Sequence, residues 1–134
     1  MIYLDSNIFI IATLYSDEKG ERARGILRDI RDGKKKAATS VLTFDEVFWE
    51  VRKHRGKDAA LEAAEAMLSM PYLNFLPVDA AVLWKTLEII KKYNLHPRDA
   101  IHLACAALHG ISAILSEDTD FDKIKEVKRK SLFE

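Results

Sequence analysis

The sequence has little that would cross-link, anchor or interrupt a fold. Its single cysteine, Cys105, excludes a disulfide within the chain, and the bland interpretation of that residue is a small core side chain. No apolar run approaches the length of a bilayer span, and Asp5 interrupts the apolar start, so we expect neither a membrane helix nor a signal peptide. These absences favour a protein of the reducing cytoplasm.

The sequence also lacks an excess of either charge. It carries 21 basic and 21 acidic residues, so composition offers no general basic surface for nucleic acid. With 134 residues, 49% of them hydrophobic and 31% charged, the chain is large enough to bury a core. There is no internal repeat, low-complexity segment or linker. We therefore expect a single globular domain over residues 1–134.

Short apolar segments alternate with longer helical patterns along the chain. The apolar runs are continuous rather than alternating, which is typical of strands covered on both faces in a parallel sheet. The predicted strands are Met1–Leu4, Ala37–Ser40, Tyr72–Val78 and Ile111–Leu115, with an edge strand near Val127. The predicted helices are Ile8–Leu14, Glu21–Arg31, one that Thr43 opens by capping, Asp58–Ser69, Ala80–Tyr93 and one that starts at Pro97. This order predicts an α/β fold with a mainly parallel sheet.

The helix that starts at Pro97 combines a buried body with a charged entrance. Proline suits a first helical position, and Asp99 follows in the first turn, where the helix dipole favours a carboxylate. Nearly every later side chain is apolar or small until Gly110. A carboxylate at the mouth of a buried helix costs free energy unless it is paired, hydrogen-bonded or bound to a metal.

Four acidic residues have similar predicted positions. Asp5 and Asp118 each follow a strand, whereas Glu46 and Asp99 each lie in a first helical turn. In an open α/β sheet the carboxyl ends of the strands and the helix starts beyond them lie along one edge, where ligands bind. Each acid also has an ordinary explanation: an N-cap for Asp5, a capping box with Thr43 for Glu46, the helix dipole for Asp99, and a turn for Asp118 with Asp120.

The types of residue present indicate which cation such a site would take. No Cys or His pair has a zinc-like spacing, so a closed tetrahedral site is not expected. A few carboxylates that leave room for water suit Mg²⁺ or Mn²⁺, which commonly bridge a protein to substrate phosphates. Such an ion lowers the pKa of a bound water and stabilises charge on a phosphoryl oxygen, as phosphodiester hydrolysis requires.

The sequence resembles the PIN-domain family of metal-dependent nucleases, particularly the VapC-type toxins of prokaryotic toxin–antitoxin pairs. The matching segments are Leu4-Asp5-Ser6-Asn7-Ile8-Phe9, Glu46 at a helix start, Pro97-Arg98-Asp99-Ala100-Ile101-His102-Leu103-Ala104 and Ser116-Glu117-Asp118-Thr119-Asp120-Phe121. The resemblance places the family's acids on Asp5, Glu46, Asp99 and Asp118, with Asp120 as the second choice for the fourth. It places the supporting polar residues on Ser6, Asn7 and Ser116.

The resemblance implies a three-layer α/β/α sandwich and a Mg²⁺- or Mn²⁺-dependent endoribonuclease with Asp5, Asp99 and Asp118 as metal ligands. It also implies RNA as substrate, a homodimer and a VapB-type antitoxin as partner. One alternative is a non-catalytic PIN-like module that binds RNA or protein. Another is a phosphatase or phosphate-receiver domain, but Asn7 stands where that chemistry needs a second acid. His102, three residues past Asp99, is interpreted as a buried histidine that donates a hydrogen bond.

Overall fold

The computed structural model describes residues 1–134 and contains one sheet of five parallel strands in the order β3-β2-β1-β4-β5. The strands are β1 (Ile2–Leu4), β2 (Ala37–Ser40), β3 (Leu73–Leu76), β4 (Ala113–Leu115) and β5 (Lys128–Lys130). The predicted parallel sheet is confirmed, including a final edge strand next to Val127. Because β1 and β4 are neighbours at the centre, the residues that follow them lie side by side.

The helices are α1 (Ser6–Leu14), α2 (Glu18–Arg31), α3 (Val41–Leu68), α4 (Ala80–Lys92) and α5 (Pro97–Leu108). A short 3-10 helix covers Thr119–Lys123. None of the helices is long and apolar enough to cross a membrane.

Successive strand residues supply the two hydrophobic cores. Tyr3 packs with α4 and α5 on one face of the sheet, whereas Leu4 packs with α1, α2 and α3 on the other. Ile114 and Leu115 divide in the same way, since neighbouring side chains of a strand point to opposite faces. All four side chains are buried, which explains the continuous apolar runs and confirms the α/β/α layers.

Several helix starts differ from the prediction. The capping box of Thr43 with Glu46 is wrong, because β2 runs directly into α3 and Ser40 occupies the N-cap position. Thr43 is buried inside the helix, with its Oγ1 2.6 Å from Oγ1 of Thr39. The two helices predicted on either side of Gly56 form one element with a break at that residue, where φ is 87°.

Candidate active site

Asp5 is a buried carboxylate directly after β1. It occupies the N-cap position of α1, as one of its ordinary explanations predicted, but its side chain makes no capping hydrogen bond. Instead, Ser116 Oγ donates to Asp5 Oδ2 at 2.6 Å and Ser6 Oγ donates to Oδ1 at 3.4 Å. Burial raises the pKa of Asp5, although His102 and the Ser116 hydrogen bond lower it in part. The charged form of Asp5 is therefore under-compensated within the chain.

Ser116 links three of the predicted site residues. Its hydroxyl donates to Asp5 and accepts from Asn7 Nδ2 at 3.1 Å and from the backbone N–H of Asp118 at 3.0 Å. One donor and two lone pairs are thus all used, which fixes the position of the hydroxyl. Asn7 Oδ1, in contrast, is buried without a hydrogen-bond partner and is an oxygen available to a ligand.

Glu46 reaches the site through a histidine. It lies in the second turn of α3 rather than the first, because the helix begins at Val41. Its Oε1 is 2.5 Å from Nε2 of His102, which is fully buried on α5, and Nδ1 of His102 is 2.7 Å from the Tyr3 hydroxyl. Burial lowers the pKa of His102, but Glu46 and Asp5 outweigh burial and raise it overall. In the sequence, the one sign that His102 belongs to the site was its position three residues after Asp99.

Asp99 lies in the first turn of α5, as predicted, and is partly buried. Burial raises its pKa to about 6, and the negative charges of Asp5, Asp118 and Glu46 add to that increase. His102 opposes it. Ser116 joins Asp5 to the backbone of Asp118, and His102 lies between Asp5 and Glu46. Asp99 stands about one turn before His102 on α5, so the four predicted acids share this end of the sheet and form one electrostatic cluster.

Asp118 and Asp120 have different surroundings. Asp118 is partly buried and is the N-cap of the 3-10 helix, where its Oδ1 accepts from the backbone N–H of Asp120 at 2.9 Å. Asp120 is exposed. Asp118 therefore acts as a turn residue and also contributes charge to the cluster, whereas Asp120 contacts Asp118 through its backbone N–H.

None of the four acids is ion-paired with a lysine or arginine. The structure contains no group of three or more Asp, Glu, His or Cys side chains arranged to hold a metal ion. The available donors are nevertheless oxygen atoms, including the unpartnered Oδ1 of Asn7, and oxygen is the donor that Mg²⁺ and Mn²⁺ prefer. The chemistry of the cluster thus fits a hard divalent cation.

A groove of about 510 Å³ adjoins the cluster. Trp49, one turn along α3 from Glu46, is 62% exposed there, and Arg98 lies beside Asp99. The complete lining consists of Ser6, Ile10, Asp45, Glu46, Trp49, Glu50 and Arg98. An exposed indole and a guanidinium next to acidic residues can contact a base and a phosphate.

A family model described as PIN domain matches residues 2–127. Ribonuclease VapC6 of Methanocaldococcus jannaschii is 38% identical over 63 residues, which cover 47% of this chain and 41% of that protein. Ribonuclease VapC13 of Mycobacterium tuberculosis is 25% identical over 130 residues, which cover 96% of this chain and 98% of that protein. The structure of VapBC2 from Rickettsia felis, bound to a DNA fragment from its promoter, matches with a TM-score of 0.77 and 17% identity over 98% of both chains.

Proposed function

The chain belongs to the PIN-domain family, and from this premise we propose that it is a metal-dependent endoribonuclease and the toxin of a type II toxin–antitoxin pair. The observation that carries the proposal is the cluster of Asp5, Glu46, Asp99 and Asp118, in which no acid is ion-paired with a lysine or arginine. The names of the similar proteins, which are ribonucleases, support the same activity.

We propose Asp5, Glu46, Asp99 and Asp118 as the catalytic acids of a single nuclease domain over residues 1–134. Asp5, Asp99 and Asp118 would hold Mg²⁺ or Mn²⁺, with Asp120 as the alternative to Asp118. When bound, the ion supplies an activated water and offsets charge on the phosphoryl oxygens. Of the supporting residues Ser6, Asn7 and Ser116, the two serines orient the Asp5 carboxylate through their hydrogen bonds.

The groove beside the cluster is the proposed path of the RNA. Trp49 would stack on a base, and Arg98 would contact a phosphate close to the acids. Stacking requires an unpaired base, so this arrangement favours single-stranded regions of RNA.

We propose that the chain forms a homodimer and binds a VapB-type antitoxin. Solved structures that it resembles include the VapBC2 assembly. Exposed Leu83, Trp84 and Leu87 on α4 form an apolar surface of the kind that partner chains cover, which supports an assembly. We also propose a cytoplasmic location, because the one cysteine is buried and unpaired.

Incubation of the pure protein with assorted RNAs tests the nuclease proposal. We expect cleavage with Mg²⁺ or Mn²⁺ that stops with chelator, and no cleavage by Asp99→Asn, which retains the shape of the side chain. Full metal-dependent activity of that variant would contradict the assignment. The alternative, a non-catalytic PIN-like module that binds RNA or protein, is tested in the same assay. RNA binding without chelator-sensitive cleavage would support that alternative.

A further inference from the structure

Three side chains from different parts of the chain form a continuous hydrogen-bonded line behind the carboxylates. The hydroxyl of Tyr3 on β1 is 2.7 Å from Nδ1 of His102, and Nε2 of the same ring is 2.5 Å from Oε1 of Glu46. We infer that His102 is a positioning residue that holds the Glu46 carboxylate in the site, and that Tyr3 sets the orientation of its ring. This inference rests on the nuclease function proposed above.

The direction of the hydrogen bonds follows from the partners available. Oε1 of Glu46 is a carboxylate oxygen and accepts, so Nε2 of His102 carries the proton of that bond, and in the neutral ring Nδ1 accepts from the buried Tyr3 hydroxyl. An imidazole that accepts at Nδ1 carries its own proton on Nε2 and donates it to Glu46. A charged ring would also donate from Nε2, so the bond to Glu46 exists in either form. Asp5 Oδ1, at 3.8 Å from Nε2, is too far to compete for that proton.

Glu46 depends on this bond because its helix lies in a different layer of the fold from His102. It belongs to α3, which packs on one face of the sheet, whereas α5 packs on the other face together with Tyr3. His102 therefore connects the two layers at the edge of the sheet. The bond to His102 is the hydrogen bond that the structure gives to the Glu46 side chain. Without it, a flexible three-carbon side chain would be free to turn into the adjoining groove.

Two amide substitutions separate positioning from packing. The amide nitrogen of glutamine extends about as far from the backbone as Nε2 of histidine, whereas asparagine extends only as far as Nδ1. His102→Gln therefore retains a donor for Glu46, and His102→Asn retains only the partner of Tyr3. Tyr3→Phe preserves the ring but removes the hydroxyl. Matched controls are His109→Gln, at the C-cap of the same helix with its Nδ1 on the Cys105 carbonyl, and Tyr93→Phe, whose hydroxyl donates to Glu126.

Three measurements on the full chain apply to each variant: Mn²⁺ affinity by calorimetry, the rate of RNA cleavage, and stability by urea unfolding. Because Glu46 would hold the ion through a bound water beside the three aspartates, we expect His102→Asn to lose about 10- to 100-fold in Mn²⁺ affinity and cleavage, as is typical when an outer-shell partner is removed. His102→Gln should retain most of the Mn²⁺ affinity and cleavage rate that His102→Asn loses, at a similar free energy of unfolding. Tyr3→Phe should lose about fivefold, the effect of one hydrogen bond, and the controls should match the wild type.

Nitrogen NMR of His102 provides a readout that does not depend on activity. We expect the proton of the neutral ring on Nε2 in the wild type and a partial shift of that proton to Nδ1 in Tyr3→Phe. The Tyr3→Phe variant also serves as the test if His102→Asn does not fold. An unprotonated Nε2 in the wild type, or equal losses for the glutamine and asparagine variants, would overturn the inference. If His102→Asn loses Mn²⁺ affinity as expected but the wild type cleaves no RNA, the result would support the positioning role and overturn the nuclease proposal.

Discussion

The carboxylates of this protein fall into two regions with opposite electrostatics. Near the C-terminus, Asp122 accepts from Arg129 at 2.7 Å and Glu126 accepts from Lys92 at 2.7 Å, and these hydrogen bonds hold the pKa of each carboxyl below its usual range. At the end of β1, burial and neighbouring acids raise the pKa of Asp5 and of Asp99. The chain satisfies the first group from its own lysine and arginine, whereas the second group shares only the ring of His102.

This contrast supports the proposal that the first group is structural and that the second group binds a ligand. A surface ion pair contributes little to stability, so its formation or loss changes the free energy of unfolding only slightly. A cluster of mutually repelling acids costs stability in the metal-free protein, and acids with raised pKa values are common at functional sites. Each prediction below compares one residue of the cluster with a matched residue outside it.

The largest effect is expected for Asp5→Asn compared with Asp122→Asn. A metal supplies several kcal/mol to phosphodiester cleavage, and each 1.4 kcal/mol is tenfold, so loss of the proposed ligand Asp5 should reduce cleavage roughly a thousandfold. The exposed Asp122 should be replaceable without loss of activity. A single-turnover assay with Mn²⁺ measures both rates. Equal rates for the two variants would remove the distinction between the regions.

Metal should stabilise the wild type through the cluster alone. At a free metal concentration of 100 times Kd, binding to the folded state adds about 2.7 kcal/mol to the free energy of unfolding. Urea unfolding with Mn²⁺ and then with chelator measures this difference. Asp99→Asn should lose most of it, whereas Glu126→Gln should retain it. A gain that survives in Asp99→Asn would place the ion elsewhere.

Without metal, Asp99→Asn should be more stable than the wild type. Because the pKa of Asp99 is about 6 in the folded protein and ordinarily 3.8, the folded state binds a proton that the unfolded state does not and gains stability as the pH falls from 6 to 4. Above pH 6 the substitution should add between about 1 and 2 kcal/mol, after allowance for partial exposure, and below pH 4 it should add nothing. Unfolding in chelator across this pH range measures the effect. Destabilisation of Asp99→Asn at pH 7 would contradict it.

The smallest effect is expected for Trp49→Ala compared with Trp84→Ala. Trp49 lies in the groove beside Glu46, whereas Trp84 lies on the apolar surface of α4. Base stacking on an aromatic ring is worth about 1 kcal/mol or more, so RNA affinity should fall about fivefold for Trp49→Ala. Trp84→Ala should bind RNA normally. Fluorescence anisotropy with a labelled single-stranded RNA, in chelator to prevent cleavage, measures both.

The sequence predicts the fold better than it predicts the contacts within the cluster. Continuous apolar runs such as Met1–Leu4 indicate strands buried on both faces, and these strands are found in a parallel sheet. Pro97 and Asp99 correctly mark the start of α5. The start of α3 was misplaced because Thr43 has the spacing of a cap, whereas β2 leads into the helix with no intervening loop. Local spacing does not reveal a missing loop.

The chain by itself determined which segments are strands and helices, because periodicity and the residues at helix starts act over a few positions. Only the tertiary structure decided that Ser116 contacts Asp5 and that His102 contacts Glu46. These partners are 111 and 56 residues apart. Their contacts depend on the placement of β4 beside β1 and of α3 and α5 on opposite faces of the sheet. Strand order and layer packing arise from the burial of the whole core, which no single segment specifies.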